Sequence, residues 1–179
     1  MKIYIIGGKA KSGKNTFGKF LREELKEYGY HPCVMNITEP LYSYAKNYFE
    51  WDEYQDEKPR EFLQKMGTEI IKEKLNKPNF LLNRLKEDIE ILSTFFDTFI
   101  ITDARLKNEF DTLNKDYEDV VSIKIEREHY NEDLTLSEKE HITETEIDTI
   151  TNFDYIIKNE GILTLKDKAN EVARQEENN

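Results

Sequence analysis

The chain has 179 residues, 35 % of them charged, with 37 acidic against 26 basic side chains and a net charge of -11, so its long-range field repels duplex DNA or RNA and excludes a nucleic-acid polymer as the expected partner. With 37 % hydrophobic residues it suits one α/β domain with a real core. No run of about eighteen apolar residues offers a membrane span, MKIYIIGG is too short for a signal peptide, and the single cysteine, Cys33, sits in an apolar strand pattern as a packed thiol, so the expectation is a cytoplasmic protein.

Residues 2 to 7, KIYIIG, form a β-branched and aromatic run ending in glycine, the pattern of a fully buried strand. From Thr16 the apolar positions Phe17, Phe20, Leu21 and Leu25 recur at helical spacing until Gly29. His31 to Ile37 is a second candidate strand, and Glu39-Pro40-Leu41 opens a helix to Phe49 that carries Tyr42, Tyr44 and Tyr48, read as core packing ahead of base stacking. An acidic loop, Glu50 to Lys58, precedes two helices, Pro59 to Leu75 and Pro78 to Thr94. These sit where an inserted substrate-binding lobe belongs, giving a core of 1–49 and 96–175 around an insertion of about 50–95. Thr98 to Asp103 is another buried strand, Leu106 to Asn114 a helix and Val120 to Glu126 a strand. Arg127 to Glu140 is polar, Phe153 to Ile157 a fifth strand, Asn159-Glu160-Gly161 a turn, and Leu163 to Arg174 a closing helix with a frayed tail, QEENN. Alternating strands and helices predict a three-layer α/β/α fold with a five-stranded, mainly parallel sheet and ligands at the carboxyl ends of its strands.

Gly8-Lys9-Ala10-Lys11-Ser12-Gly13-Lys14-Asn15 matches the phosphate loop G-x-x-x-x-G-K, with Asn15 where Ser or Thr is usual and Thr16 one place later. Its glycines let backbone N–H groups turn toward phosphate oxygens, the following helix adds the positive end of its dipole, and Lys14 supplies a solvent-side point charge for the β- and γ-phosphates. In a chain this acidic the site must gather such groups locally. Asn15 replaces a hydroxyl that commonly holds Mg²⁺, through its amide oxygen or a water. Asp103 ends a hydrophobic strand pattern, where it can hold Mg²⁺ through water, orient Arg105 or cap the next helix. The chain has only six arginines. Arg60 opens a helix and Arg105 follows a buried strand, where each can fork onto phosphate oxygens or pair with a carboxylate. Glu109, four residues after Arg105, contacts substrate or steadies that guanidinium. Arg127, with Lys139, falls in a candidate lid of about 127–141, or in a solvated charge run.

Read together, these segments resemble the phage-type deoxynucleoside monophosphate kinases, within the nucleoside monophosphate kinase-like P-loop group. Lys11-Ser12-Gly13-Lys14-Asn15-Thr16 is similar to the family's K/R-S-G-K-D-T loop, with asparagine in place of aspartate. Glu39-Pro40-Leu41 resembles its x-P-L/I segment, Arg60 to Glu69 its R-x-x-L-Q-x-x-G-T-D/E block and Asp103 to Glu109 its D-x-R-x-x-x-E block. His141 to Glu144 resembles H-I-T-E, and Asp154 to Leu165 the D-x-x-I-x-N-x-G/D-x-L ending. The resemblance implies transfer of the ATP γ-phosphoryl group to a (deoxy)nucleoside monophosphate with Mg²⁺ as cofactor. It implies loop residues Gly8, Lys11, Ser12, Gly13, Lys14, Asn15 and Thr16 on ATP together with Arg127. Pro40, Leu41, Arg60, Gln64, Gly67, Thr68, Arg105 and Glu109 are implied on the acceptor, with Leu81 where the family often has tryptophan. The catalytic group is Lys14, Arg60, Asp103 and Arg105, the metal ligands Asn15 and Asp103, His141 is structural or lid-related, and a homodimer is suggested. Loop and fold alone leave open a kinase of another small metabolite, or a nucleotide-binding regulator without turnover.

Overall fold

The computed structural model describes residues 1–52, 59–128 and 145–178. They fall into two compact units, Met1–Met35 with Leu92–Asn179, and Asn36–Ile91.

In the first unit five strands, β1 (Lys2–Gly7), β2 (Pro32–Met35), β3 (Thr98–Ala104), β4 (Val120–Glu126) and β5 (Tyr155–Lys158), build one sheet in the order β2-β3-β1-β4-β5. Every pairing is parallel. The apolar runs of β1, β3 and β4 form strands because both sheet faces are covered, so both side-chain parities are hydrophobic. Tyr4, Ile6, Ile100, Ile123 and Ile125 pack with Phe17, Leu21 and Leu25 of α1 (Lys14–Glu27) and with Leu165, Ala169 and Val172 of the last helix, α6 (Ile162–Glu177). Ile3 and Ile5, fully buried, have the opposite parity. Phe110 of α5 (Lys107–Asp116) lies by the carboxyl end of β1, in edge contact with Phe153 at 5.3 Å. A short 3₁₀ turn, Glu146–Thr149, adds the buried Ile147.

The second unit holds α2 (Glu39–Phe49), α3 (Arg60–Gln64), a π-helical segment, Lys65–Lys74, and α4 (Phe80–Leu92). Its packing is aromatic at one end, with Tyr42 on Trp51 at 5.6 Å and Phe49 on Phe62 at 4.8 Å, and aliphatic elsewhere, with Leu41, Ile71, Leu82, Leu85 and Ile89 buried. The helix expected over 59–75 is therefore α-helical only in its first turn. The ten residues Lys65–Lys74 wind as a π-helix, with bonds between residues five apart instead of four.

The closing helix departs from expectation at its end. It stays helical to Glu177 because the glutamates of the supposed frayed tail are engaged: Glu176 takes the Lys2 ammonium at 2.8 Å and the Tyr155 hydroxyl at 2.6 Å, and Glu177 takes the Tyr30 hydroxyl at 2.8 Å. The stretch Arg127 to Glu140 and its lid reading, with Lys139 and His141, lie mostly outside the described residues.

At the amino ends of β2 and β3 the Asp97 carboxylate accepts from the Thr98 hydroxyl at 2.8 Å and from the His31 backbone N–H at 3.0 Å. Partial burial pushes its pKa up, but these bonds and the neighbouring His31 outweigh that and hold it below the ordinary 3.8. A carboxyl depressed on folding adds stability above its unfolded pKa and loses it as pH falls through the folded value. Asp97→Asn should accordingly flatten the acid limb of the stability–pH curve below about pH 3.8, measured by urea unfolding at stepped pH.

Candidate functional site

The loop between β1 and α1 leaves the sheet at the carboxyl end of its central strand. Its backbone is left-handed at three places, Gly8 (φ 146°), Lys11 (φ 56°) and Gly13 (φ 106°), an alternation that curls successive peptide groups into a nest for an anion. A lysine in that region costs about 1–3 kcal/mol and marks a loop held in shape by its surroundings. The surroundings are specific. A Cβ at Gly8 would collide with the carbonyl oxygen of Ile125 in β4, and one at Gly13 would lie 2.6 Å from the Asn159 amide nitrogen.

Lys14 is not solvent-side as expected. Only 6 % exposed, it donates to the Gly8 and Lys9 carbonyl oxygens at 2.6 Å each, so its ammonium sits within the curl of its own loop. Ser12 is 1 % exposed and its hydroxyl has no hydrogen-bond partner among the described residues, an arrangement that costs about 1–3 kcal/mol unless a ligand accepts or donates there. Asn15, exposed, and Thr16, half-buried, occupy the first turn of α1.

Four more sequence candidates, Asp103, Arg105, Glu109 and Arg127, lie near or beyond the carboxyl ends of the neighbouring strands. Register pairs Gly7 with Ala104, the last residue of β3, so Asp103 stands one residue before the end of that strand, near the start of the loop. Leu106 is the residue before α5, which removes the capping role for Asp103. Glu109 Oε2 accepts the N–H of Arg105 at 2.8 Å and of Leu106 at 2.9 Å, fixing the chain at the half-buried Arg105. Arg127, directly after β4, donates to the Lys11 carbonyl at 3.3 Å.

Beside the loop lies a cavity of about 530 Å³, within the range of small-molecule sites, lined by residues including Ser12, Lys124, Arg127, Asn159 and Gly161. Lys9, Lys124, Arg127 and Lys158 on its wall balance Glu126, Glu128, Asp148 and Glu160. The acidic side chains of this wall are thus matched in number by basic ones. Lys9 pairs with Asp148, which also stands 3.7 Å from Lys124.

The remaining candidates belong to the second unit. Arg60 is the first residue of α3 and Gln64 its last; Gly67 and Thr68 follow in the π segment, and Arg60, Gln64 and Thr68 are half-buried. Pro40 stands in the first turn of α2, Leu41 is 2 % exposed and packs near Gly67, and Leu81 is half-buried on α4.

The sequence signature of deoxynucleotide monophosphate kinases matches residues 43–169, more than half of the chain. The chain belongs to the deoxynucleotide monophosphate kinase family. It is therefore an enzyme that phosphorylates nucleotides, which sets aside the kinase of an unrelated metabolite and the regulator without turnover. No curated protein sequence matches the kinase. Among solved structures it is similar to the APS kinase of Mycobacterium tuberculosis in complex with AMPPNP and APS, at 14 % identity and a TM-score of 0.56, covering 98 % of this chain and 97 % of that one. It is also similar to a gluconokinase of Sinorhizobium meliloti, at 11 % identity and 0.52, covering 99 % and 94 %. A shikimate kinase of Bacteroides thetaiotaomicron, at 11 % and 0.51, covers 98 % of both. At such identities these likenesses establish a shared P-loop kinase fold. No helix among the described residues of the kinase is long and apolar enough to cross a membrane.

Sequence reasoning missed Lys124, Asp148 and Asn159 as site residues. Only Asn159 carried a signal, as the first residue of a turn and part of the D-x-x-I-x-N ending. Because the Ile125 carbonyl belongs to a hydrogen-bonded central strand and cannot yield, Gly8→Ala should lower stability by about 2 kcal/mol or more, read as a shift in the urea midpoint.

Proposed function

We propose that the chain transfers the γ-phosphoryl group of ATP to the phosphate of a deoxynucleoside monophosphate, giving the diphosphate and ADP. The observation that carries this reading is a nest of left-handed residues wrapped on a buried ammonium, with the buried Ser12 hydroxyl lacking a partner among the described residues. A polyphosphate would offer oxygen acceptors to the curled loop, to the Ser12 hydroxyl and to the Lys14 ammonium. The nucleoside part of ATP occupies the adjoining cavity, with Arg127 on its wall.

Phosphoryl transfer asks the protein for alignment and for charge on the transferring oxygens rather than for covalent chemistry. Lys14 bears on the β- and γ-phosphates, and Arg105, its backbone fixed by Glu109, forks onto the transferring group. The acceptor's phosphate is assigned to Arg60, with Gln64, Gly67 and Thr68 forming its bed; Pro40 and Leu81 flank the acceptor, and Leu41 supports Gly67 from within the packing. The acceptor needs no histidine base because its phosphate oxygen is already nucleophilic. Asp103, Asn15 and Thr16 form an all-oxygen donor set that suits Mg²⁺, a hard cation that binds through one or two protein groups and the nucleotide's phosphates. When bound, it would neutralise charge on those phosphates. The cytoplasm suits Cys33, whose thiol pKa burial raises, keeping it protonated and inert.

Mixing the protein with Mg-ATP and each deoxynucleoside monophosphate should release ADP with at least one acceptor, followed by a coupled assay; absence of transfer to all of them would defeat the reading. Lys14→Ala should lower kcat/KM by at least about 10²-fold. Arg105→Ala should lower kcat by about 10³-fold, and Arg105→Lys should not restore it, since an ammonium lacks the guanidinium fork.

A further inference from the structure

Three bonds converge on Asn159, the residue after β5. Its backbone N–H donates to the Glu126 carbonyl at 2.7 Å, its side-chain Nδ2 donates to the Ser12 carbonyl at 2.7 Å, and its Oδ1 accepts the Gly161 N–H at 3.0 Å. The first bond extends the β4–β5 ladder by one residue and leaves the side chain no choice of origin. The other two fix its amide face, since a donor is required at Ser12 and an acceptor at Gly161.

The bond to Ser12 has a consequence for the phosphate loop. In a planar trans peptide the carbonyl and the N–H point in opposite directions, so drawing the Ser12 carbonyl toward Asn159 turns the Gly13 N–H away from it, into the loop. Gly13 follows the same constraint. Its left-handed φ of 106° places the missing Cβ 2.6 Å from Asn159 Nδ2, so amide and glycine are fitted to each other. On its other side Asn159 holds Gly161, and both residues line the 530 Å³ cavity.

We propose that Asn159 is a positioning residue that aims the phosphate-loop N–H groups at the donor nucleotide and ties that aim to the β5–α6 loop walling the nucleoside cavity. It rests on the assignment of loop and cavity to ATP made above. It acts through backbone, touching no reacting atom. Ser12 and Asn159 are 147 residues apart, so the loop's shape is completed by the far end of the chain. A donor-side role of this kind leaves the acceptor site alone.

The test compares wild type with Asn159→Asp, which keeps an acceptor for Gly161 but replaces the donor at Ser12 by a carboxylate, and with Asn159→Ala, which removes both bonds. Mg-ATP and inorganic tripolyphosphate are titrated by calorimetry, and KM is measured separately for ATP and for the deoxynucleoside monophosphate. Asn159→Asp should weaken Mg-ATP and tripolyphosphate by about ten- to a hundred-fold, and Asn159→Ala by about three- to ten-fold. KM for ATP should rise in both while KM for the monophosphate stays within about twofold, a split that general loss of stability would not produce. Variants that bind Mg-ATP like wild type, or that raise both KM values alike, overturn the proposal. Wild type that fails to bind Mg-ATP overturns the ATP reading itself, and this inference with it; the wild-type titration tells the two failures apart.

Discussion

A cation held within the curl of its own loop is the constraint from which the first unit is built. Withdrawing an ammonium from water costs several kcal/mol unless it is well bonded, and Lys14 meets that cost partly with the Gly8 and Lys9 carbonyls. Those carbonyls reach it only because the backbone is left-handed at Gly8, Lys11 and Gly13, and the same reversal sets the N–H groups for an anion. The strand before the loop must stop at Gly7 and the helix after it must start at Lys14. A chain with a net charge of -11 can thereby present a local positive site without spending many basic side chains.

The parts of the fold legible in the sequence are those whose cause is local or periodic. β1 and β4 read as strands because both faces of a parallel sheet are buried, which leaves a continuous β-branched run. Helix α2 was expected at its observed ends because Pro40 and Glu39 mark its first turn. The π winding over Lys65–Lys74 was not legible, since the spacing of Ile70 and Ile71 from the preceding apolar residues fits α-helical and wider turns alike. The end of α6 was misread for another reason. A run of glutamates looks like a solvated tail until Lys2, Tyr30 and Tyr155, more than a hundred residues away for two of them, supply its partners.

The candidate site divides along the same line. The loop announced itself because glycines, lysine and a following amphipathic helix lie within twenty residues. The depth of Lys14 did not, because burial of a loop side chain depends on what the rest of the sheet brings. Glu109 shows the limit differently: its spacing from Arg105 was readable, but that its Oε2 accepts two backbone N–H groups was not, because side-chain reach to the backbone leaves no mark in the spacing.

The family signature begins at residue 43, beyond the phosphate loop, yet it spans the groups that shape that loop from outside. Ile125 supplies the carbonyl that forbids a side chain at Gly8, Arg127 bonds the Lys11 carbonyl, and Asn159 bonds the Ser12 carbonyl. Membership and loop geometry therefore rest on separate stretches of sequence that meet at one end of one sheet. A lysine-rich surface turn that happened to spell the motif would have no reason to be contacted by β4, by the residue that follows it and by the start of the β5–α6 connection. The convergence of those three contacts on backbone carbonyls and glycine positions is what distinguishes a phosphate cradle from its sequence imitation.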